Sequence, residues 1–369
     1  MVIDPVDKIA EQISQQKTST GNSDEELLAF LEQTKPKILV VGTGGSGCNT
    51  LNRMIEVGIE GATLIAMNTD VRHLIKIKAD KKILLGKMTT KGMGAGSNPL
   101  LGENAAKESQ EEIKKTLNGA SMVFIACGLG GGTGTGSAHI IAEVARQVGA
   151  LTVAVVTLPF ASEGKIRMQN ALEGLEKLKR HADTVIIIPN DKLLSVAPDL
   201  PLNTAFKVCD EVLTSAVKSI TELVTKAGLV NLDFADLKTI LSSAGCAVVG
   251  VGESTIDAKP EDRALLAAEM ALNSPLLDVD ISQAQRALIN VIGGEDMSLK
   301  EAELIVNTIS KRIDPNAHII WGARIEKDSK KNRVRVLTVV AGTKFPKYDL
   351  NYFQNKEFSF EDMDLDLVV

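Results

Sequence analysis

The residues with the most explicit chemistry are glycines set in three short loops. GLGGGTGTGS at 128–137 follows the apolar run MVFIA, and its core GGGTGTG holds five glycines in seven residues, with Thr133 and Thr135 between them. Such a run leaves successive N–H groups bare and adds hydroxyl donors, the chemistry of an anion nest. GTGGSGCNT at 42–50 stands in the same setting after KILVV, and its Gly42, Gly44 and Gly47 match G-x-G-x-x-G. That spacing brings amides up to a phosphate at a helix N-terminus. Taken alone, it fits a tight strand-to-helix turn or a dinucleotide cofactor, the latter with Asp70 after the second strand near the ribose. The second loop decides, because a dehydrogenase has no use for two glycine loops side by side. A third, KGMGAGSNP at 91–99, supplies further uncovered backbone. No G-x-x-x-x-G-K-S/T occurs, so a Walker-type lysine does not hold the phosphates. Three glycine loops converging on one crevice suit a triphosphate and its metal.

The elements that must position these loops follow from periodicity. KILVV, TLIAM, MVFIA, LTVAVVT and TVIII, starting at 37, 63, 122, 151 and 184, alternate with helical stretches, the pattern of βαβ units and a mostly parallel, doubly covered sheet. A long helix at about 204–227 carries Phe206, Cys209, Leu213, Ala216, Val217, Ile220, Leu223 and Val224 at helical period, with Gly228 as its C-cap. It is apolar over much of its circumference and is expected to be buried between two domains. CAVVGVG, RALINVI, HIIWGAR and VRVLTVVA then give a smaller α/β domain, four strands with helices near 261–273 and 298–312 on one side. KDSKKNR, between the last two strands, reads as a solvated hairpin tip. The expected organisation is an N-terminal helical extension (1–36), a Rossmann-like nucleotide domain (37–203), a central helix (204–228), a C-terminal α/β domain (229–342) and a mobile acidic tail (343–369).

Composition narrows the functions. The 369 residues suffice for about two cores, and 41 basic against 47 acidic side chains, net −6, leave no basic face for nucleic acid. Aromatics at 3% also argue against base stacking on single strands. Cys48, Cys127, Cys209 and Cys246 lie far apart with no C-x-x-C and read as reduced structural thiols. No metal site is expected, and His73, His139, His181 and His318 form no catalytic constellation. The start lacks a signal peptide and no apolar run approaches the ~18 residues of a membrane span, so a soluble intracellular protein without membrane insertion is expected. NLDFAD at 231–236 reads by itself as an N-cap and capping box for the helix DLKTIL.

GGGTGTG is also a family signature. With AMNTD at 66–70, GAGSNP at 94–99, LPFASEGKIR at 158–167, PNDKLL at 189–194, AFKVCDEVL at 205–213 and NLDFAD, the sequence resembles the FtsZ family of tubulin-like GTPases of prokaryotic cell division, almost unbroken from Lys37 to Gly342. The extension and tail look more like archaeal members. The resemblance implies binding of GTP or GDP with Mg²⁺. It implies phosphate contacts from Gly44, Gly45, Ser46, the loop Gly130, Gly131, Gly132, Thr133, Gly134, Thr135, Gly136, and the loop Gly94, Ala95, Gly96. Asp70, in AMNTD, joins the nucleotide-binding set. Asn49 and Asp210 would face the guanine, Phe206 would pack on it, and Glu163, Arg167 and Asn190 would hold the ribose and nearby phosphate. Asp210 makes chemical sense, since a carboxylate accepts from both N1–H and the 2-amino group, which adenine does not offer together. Ser46, Ser97 and His139 depart from the family's usual residues.

The resemblance gives Asp233 and Asp236 a part in activating the attacking water, with Asn231 contacting the neighbouring nucleotide. If Asp210 touches the base, a rise of ~1.5 Å per residue puts Asp233 on the order of 30 Å from the same nucleotide. The acids then come from the next subunit of a head-to-tail filament, and polymerisation completes the active site. A division-ring adaptor is implied as membrane tether, docking on the acidic tail through Phe358, Phe360 and Leu365, and the work is done in the cytoplasm at the division site. Two other readings stand beside this one: an NAD-dependent oxidoreductase built on GTGGSGCNT and Asp70, and a filament scaffold that binds GTP without hydrolysing it.

Overall fold

The computed structural model describes residues 35–192, 202–226, 229–230, 232–254, 262–274, 277, 280–326 and 333–343. The expected N-terminal extension, the tail with Phe358, Phe360 and Leu365, and most of KDSKKNR lie outside them. Six strands, β1 (Ile38–Thr43), β2 (Ala62–Asn68), β3 (Lys81–Leu84), β4 (Met122–Gly128), β5 (Leu151–Leu158) and β6 (Thr184–Pro189), form the parallel part of the sheet, in the order β3-β2-β1-β4-β5-β6. β1 and β5 are buried along their whole length, which is why both read as continuous apolar runs rather than alternating ones. Between the strands run helices α1 (Gly44–Val57), α2 (Val71–Lys76), α3 (Pro99–Glu108), α4 (Gln110–Leu117), α5 (Thr133–Gln147) and α6 (Lys165–His181).

The strand order reverses between β1 and β4. In open parallel sheets the ligand crevice lies outside the carboxyl ends of the strands at such a switch point. The loops 42–47 and 128–133 leave the sheet there, so topology alone brings the first two glycine loops together.

The 24-residue α7 (Leu202–Thr225) buries Cys209, Leu213, Ala216, Val217 and Ile220 in a cluster that also holds Val40, Phe124, Val155, Leu288, Ile320 and Leu337. One core therefore runs beneath the helix from one half of the protein to the other. Beyond it come α8 (Phe234–Leu241), β7 (Gly245–Glu253), α9 (Arg263–Leu272), β8 (Arg286–Gly293), α10 (Leu299–Ser310), β9 (His318–Ile325) and β10 (Val334–Thr343). β7 pairs with β6 in parallel and with β10 antiparallel, so all ten strands make one sheet that ends β6-β7-β10-β8-β9.

Two expectations change here. β8 lies between β9 and β10, so the connection carrying KDSKKNR is a crossover and not a hairpin. The four C-terminal strands are also covered on both faces. Leu288 joins the core under α7 and α8 while its neighbour Ile289 joins the cluster under α9 and α10, as alternation along a strand requires.

α1 sits close on the sheet because Gly47 has no side chain: a Cβ there would stand 2.1 Å from the Ala126 carbonyl oxygen of central strand β4. Gly47→Ala is therefore expected to cost about 3 kcal/mol, the upper range for overpacking. It would appear as a lower denaturant midpoint at unchanged slope; an unchanged midpoint would mean that α1 lifts from the sheet without penalty.

Candidate nucleotide site

At the switch point the first two glycine loops form one wall of a crevice of about 380 Å³. Gly44 adopts φ +73°, and a Cβ on it would stand 2.8 Å from the Gly134 nitrogen, so the first two loops touch through bare backbone. A Cβ on Gly132 would stand 2.8 Å from the Asn98 nitrogen, which brings the third loop against the second. Side chains lock this arrangement: the Thr69 and Thr133 hydroxyl oxygens are 2.6 Å apart, as are those of Thr43 and Ser137. Neither α1 nor α5 has a side-chain N-cap hydrogen bond. The first intrahelical bond of α5 runs from Gly136 N to Gly132 O, so the amides before it are left for a ligand. Two uncapped helix N-termini converging on one cavity lined by Gly45, Ser46 and 131–134 make an anion site with both partial charge and donors in place.

Thr135 departs from expectation. Its hydroxyl faces inward, is 2% exposed, and accepts from Gly130 N at 2.8 Å. It shapes the loop and does not add a donor to the crevice. Thr135→Val keeps the shape and orphans a buried N–H, at a cost of about 1–3 kcal/mol. Guanine-nucleotide affinity is expected to fall about tenfold as the loop relaxes, read by equilibrium titration; affinity equal to wild type would assign loop geometry to the glycines alone.

The opposite wall is polar. Glu163 ends a 3₁₀ turn (Ala161–Glu163), accepts from Phe160 N at 2.9 Å and pairs with Arg167 at 3.0 Å. Asn190, at the end of β6, is 5% exposed and its Oδ1 has no partner among the described residues. An orphaned buried acceptor costs free energy unless a ligand donor meets it. Asp210 lines the crevice from α7 and accepts from Thr50 Oγ1 at 2.9 Å, while burial pushes its carboxyl up to about 6. Asn49 lines the same end. The Phe206 side chain lies outside the described residues.

Other expected residues stand apart. Ala95 packs against Gly132 of the second loop and Gly94 N donates to Thr69 O at 3.1 Å, but neither they nor Gly96 line the cavity, and Asp70 caps α2 by accepting from Arg72 N and His73 N. Thr157, Pro159 and Cys209 line the crevice and were not expected; the first two could have been found, since β5 leaves the sheet beside β4 on the same edge. His139 is buried, 3.5 Å from Glu103, and takes no part in the lining.

Asp233 and Asp236 form the capping box of α8: Asp233 Oδ1 accepts from Asp236 N at 2.8 Å and Asp236 Oδ2 from Asp233 N at 3.3 Å. Neither lines the crevice. Fifteen residues of α7 separate Asp210 from Thr225, about 22 Å of helix at ~1.5 Å per residue. Past the helix the chain is pinned to β9, with Leu229 N donating to Ala323 O at 2.8 Å. Asn231 lies outside the described residues.

No cluster of three metal-ligating side chains occurs among the described residues. The glycine wall offers amides and hydroxyls rather than carboxylates, so this donor set does not fit a protein-built Mg²⁺ cage.

The description "Tubulin/FtsZ family, GTPase domain" matches residues 37–198, and "FtsZ family, C-terminal domain" matches residues 245–344. The chain is 59% identical over 319 residues to cell division protein FtsZ 1 of Methanocaldococcus jannaschii, covering 86% of each. It is 56% identical over 348 residues to cell division protein FtsZ 1 of Thermococcus kodakarensis, covering 93% of this chain and 92% of that one. An M. jannaschii FtsZ dimer structure superposes with a TM-score of 0.81 at 58% identity, over 87% of this chain and 92% of that one. With two glycine loops on a 3-2-1-4-5-6 sheet, a carboxylate lining the crevice they border and this degree of identity along both halves, the chain belongs to the FtsZ family of tubulin-like cell-division GTPases.

Proposed function

We propose that this GTPase polymerises head to tail and splits each GTP with acids supplied by the following subunit. The triphosphate lies on the amides of α1 and α5, Asn49 and Asp210 read the guanine with Phe206 packed on it, and Glu163, Arg167 and Asn190 hold the ribose and nearby phosphate. Asp233 and Asp236 of the next subunit then orient the water that attacks the γ-phosphate in line, and backbone donors take up the developing charge. No step here depends on Mg²⁺. Asn231 belongs to the same contact.

The observation that supports this division of labour is the separation of the acids from the crevice by most of α7. A contact joining unlike faces of identical subunits does not close on itself and yields a filament. That the similar M. jannaschii chain was solved as an FtsZ dimer supports self-association. The relatives' name, cell division protein, supports work in division; the acidic tail is the proposed seat of a membrane-tethering adaptor, and no helix among the described residues is long and apolar enough to cross a membrane.

The decisive measurement is GTP turnover per molecule against protein concentration. It is expected to rise steeply over a threshold and then level. A flat line from dilute to crowded protein would overturn the shared site.

A further inference from the structure

We propose that His73 governs guanine specificity from outside the crevice, by fixing which end of the Asn49 amide faces the nucleotide. The inference rests on the guanine reading above and extends it to a residue with no nucleotide contact. Its anchor is a backbone group that can only donate: Asp70 N–H, 3.2 Å from Asn68 Oδ1. The Asn68 atom meeting that N–H must be its acceptor, so the amide nitrogen is turned the other way, 3.1 Å from His73 Nδ1. An NH₂ group has hydrogens to give and nothing to accept with, so Nδ1 accepts and the ring hydrogen sits on Nε2. Nε2 lies 3.1 Å from Asn49 Oδ1. Asn49 therefore spends its oxygen on His73 and turns its NH₂ toward the crevice it lines.

Each link of the relay is held by the fold. Asn68 is 3% exposed at the end of β2. His73 stands in the first turn of α2, where Asp70 Oδ1 accepts from its backbone N–H at 3.1 Å. Asp70, which does not line the crevice, thus orients both Asn68 and His73. Asn49 by contrast is exposed, and its side-chain oxygen is held by His73.

The consequence is chemical. A fixed NH₂ accepts guanine, whose 6-position is an acceptor, and opposes adenine, whose 6-position carries an amino group. Asn49 precedes Thr50, whose hydroxyl holds Asp210, so the two base-reading side chains sit next to each other. Asp210 reads the N1–H and 2-amino edge while Asn49 reads the 6-oxo group. Without the imidazole the Asn49 amide rotates and presents oxygen or nitrogen alike, and the 6-position is no longer read.

The test uses GTP and 2-aminopurine riboside triphosphate, which keeps the 2-amino group but lacks both the 6-oxygen and the N1–H, in equilibrium binding to full-length protein, and compares each nucleotide's affinity in a variant with its own affinity in wild type. His73→Leu is expected to weaken GTP on the order of three- to tenfold, the worth of one neutral hydrogen bond, and to leave the 2-aminopurine nucleotide unchanged. His73→Gln, which also pairs an acceptor with a donor, is expected to restore the GTP preference. In an Asn49→Ala background His73→Leu should change nothing further. A merely structural histidine would weaken both nucleotides together, and that result overturns the relay, as does an unchanged preference in His73→Leu. Wild-type protein that binds no GTP would overturn the guanine reading and the relay with it.

Discussion

Asp233→Asn is expected to bind GTP, assemble, and turn over on the order of a hundred- to a thousandfold more slowly than wild type, the usual worth of a group that activates the nucleophile. Asparagine is chosen because it separates the proposed catalytic role of Asp233 from its capping role. It caps α8 by accepting from Asp236 N, and Asn caps as well as Asp, whereas alanine would lose about 1 kcal/mol of helix stability along with the charge. Asp236→Asn is expected to behave alike. Slow turnover with unaltered denaturant stability therefore reports chemistry. A mixing experiment then tests whose acids are used. Asp233→Asn keeps an intact crevice, and Asp210→Asn keeps intact acids while binding GTP poorly. In an equal mixture, about a quarter of heterologous contacts join a sound crevice to sound acids, so turnover should recover above that of either protein alone. No recovery, with assembly confirmed by sedimentation, would return the acids to their own subunit and end the proposed mechanism.

How far the sequence foretold this arrangement depends on whether the signal was local. The parallel half was readable because a strand buried on both faces is a run of Ile, Leu and Val, and the first two glycine loops stand at the ends of such runs. The capping box at Asp233 and Asp236 was readable because its partners are three residues apart. What failed was non-local. That β8 comes between β9 and β10 depends on pairing across distant segments, which periodicity does not encode. Thr135 was expected among the ligand donors, and only the placement of Gly130 N shows its hydroxyl to be taken. Asp70 follows the second strand as a ribose-binding acid would, yet its carboxylate is engaged by the first turn of α2. The aspartate of AMNTD reads equally as ligand or cap until the helix behind it is seen. His73 belongs to no catalytic constellation in the sequence; Asn68, five residues before it, meets it through the turn into α2, and Asn49 becomes its neighbour only through the pairing of β1 with β2.

Asp210→Asn is expected to weaken GTP binding on the order of a hundredfold and to favour xanthosine triphosphate instead. A carboxylate accepts from the guanine N1–H and 2-amino group together, and each hydrogen bond to a charged acceptor is worth about 1.5–3 kcal/mol. An asparagine amide keeps one acceptor and gains a donor, which opposes the 2-amino group and suits the 2-oxo group of xanthine. The same carboxylate gives the wild-type protein a pH dependence of known sign. Burial raises Asp210 to about 6, because its charge is partly stripped of water and only Thr50 and the distant Arg53 offset that. A carboxylate that accepts from guanine must be ionised, so on the proposed reading a proton competes with the nucleotide. Affinity should be level above about pH 6 and fall about tenfold per pH unit below it. The stability of the nucleotide-free fold runs the other way. An acid whose pKa is raised on folding contributes stability that is full below its unfolded value and lost as pH rises through the folded one. Asp210→Asn removes that loss, so the variant should be at least as stable as wild type at neutral pH, and weak binding cannot be put down to unfolding. Titrating GTP into both proteins from pH 5 to 7.5 is the check. A wild-type affinity independent of pH, or an asparagine variant with the same slope as wild type, would remove Asp210 from the guanine edge and with it the chemical case for GTP over ATP.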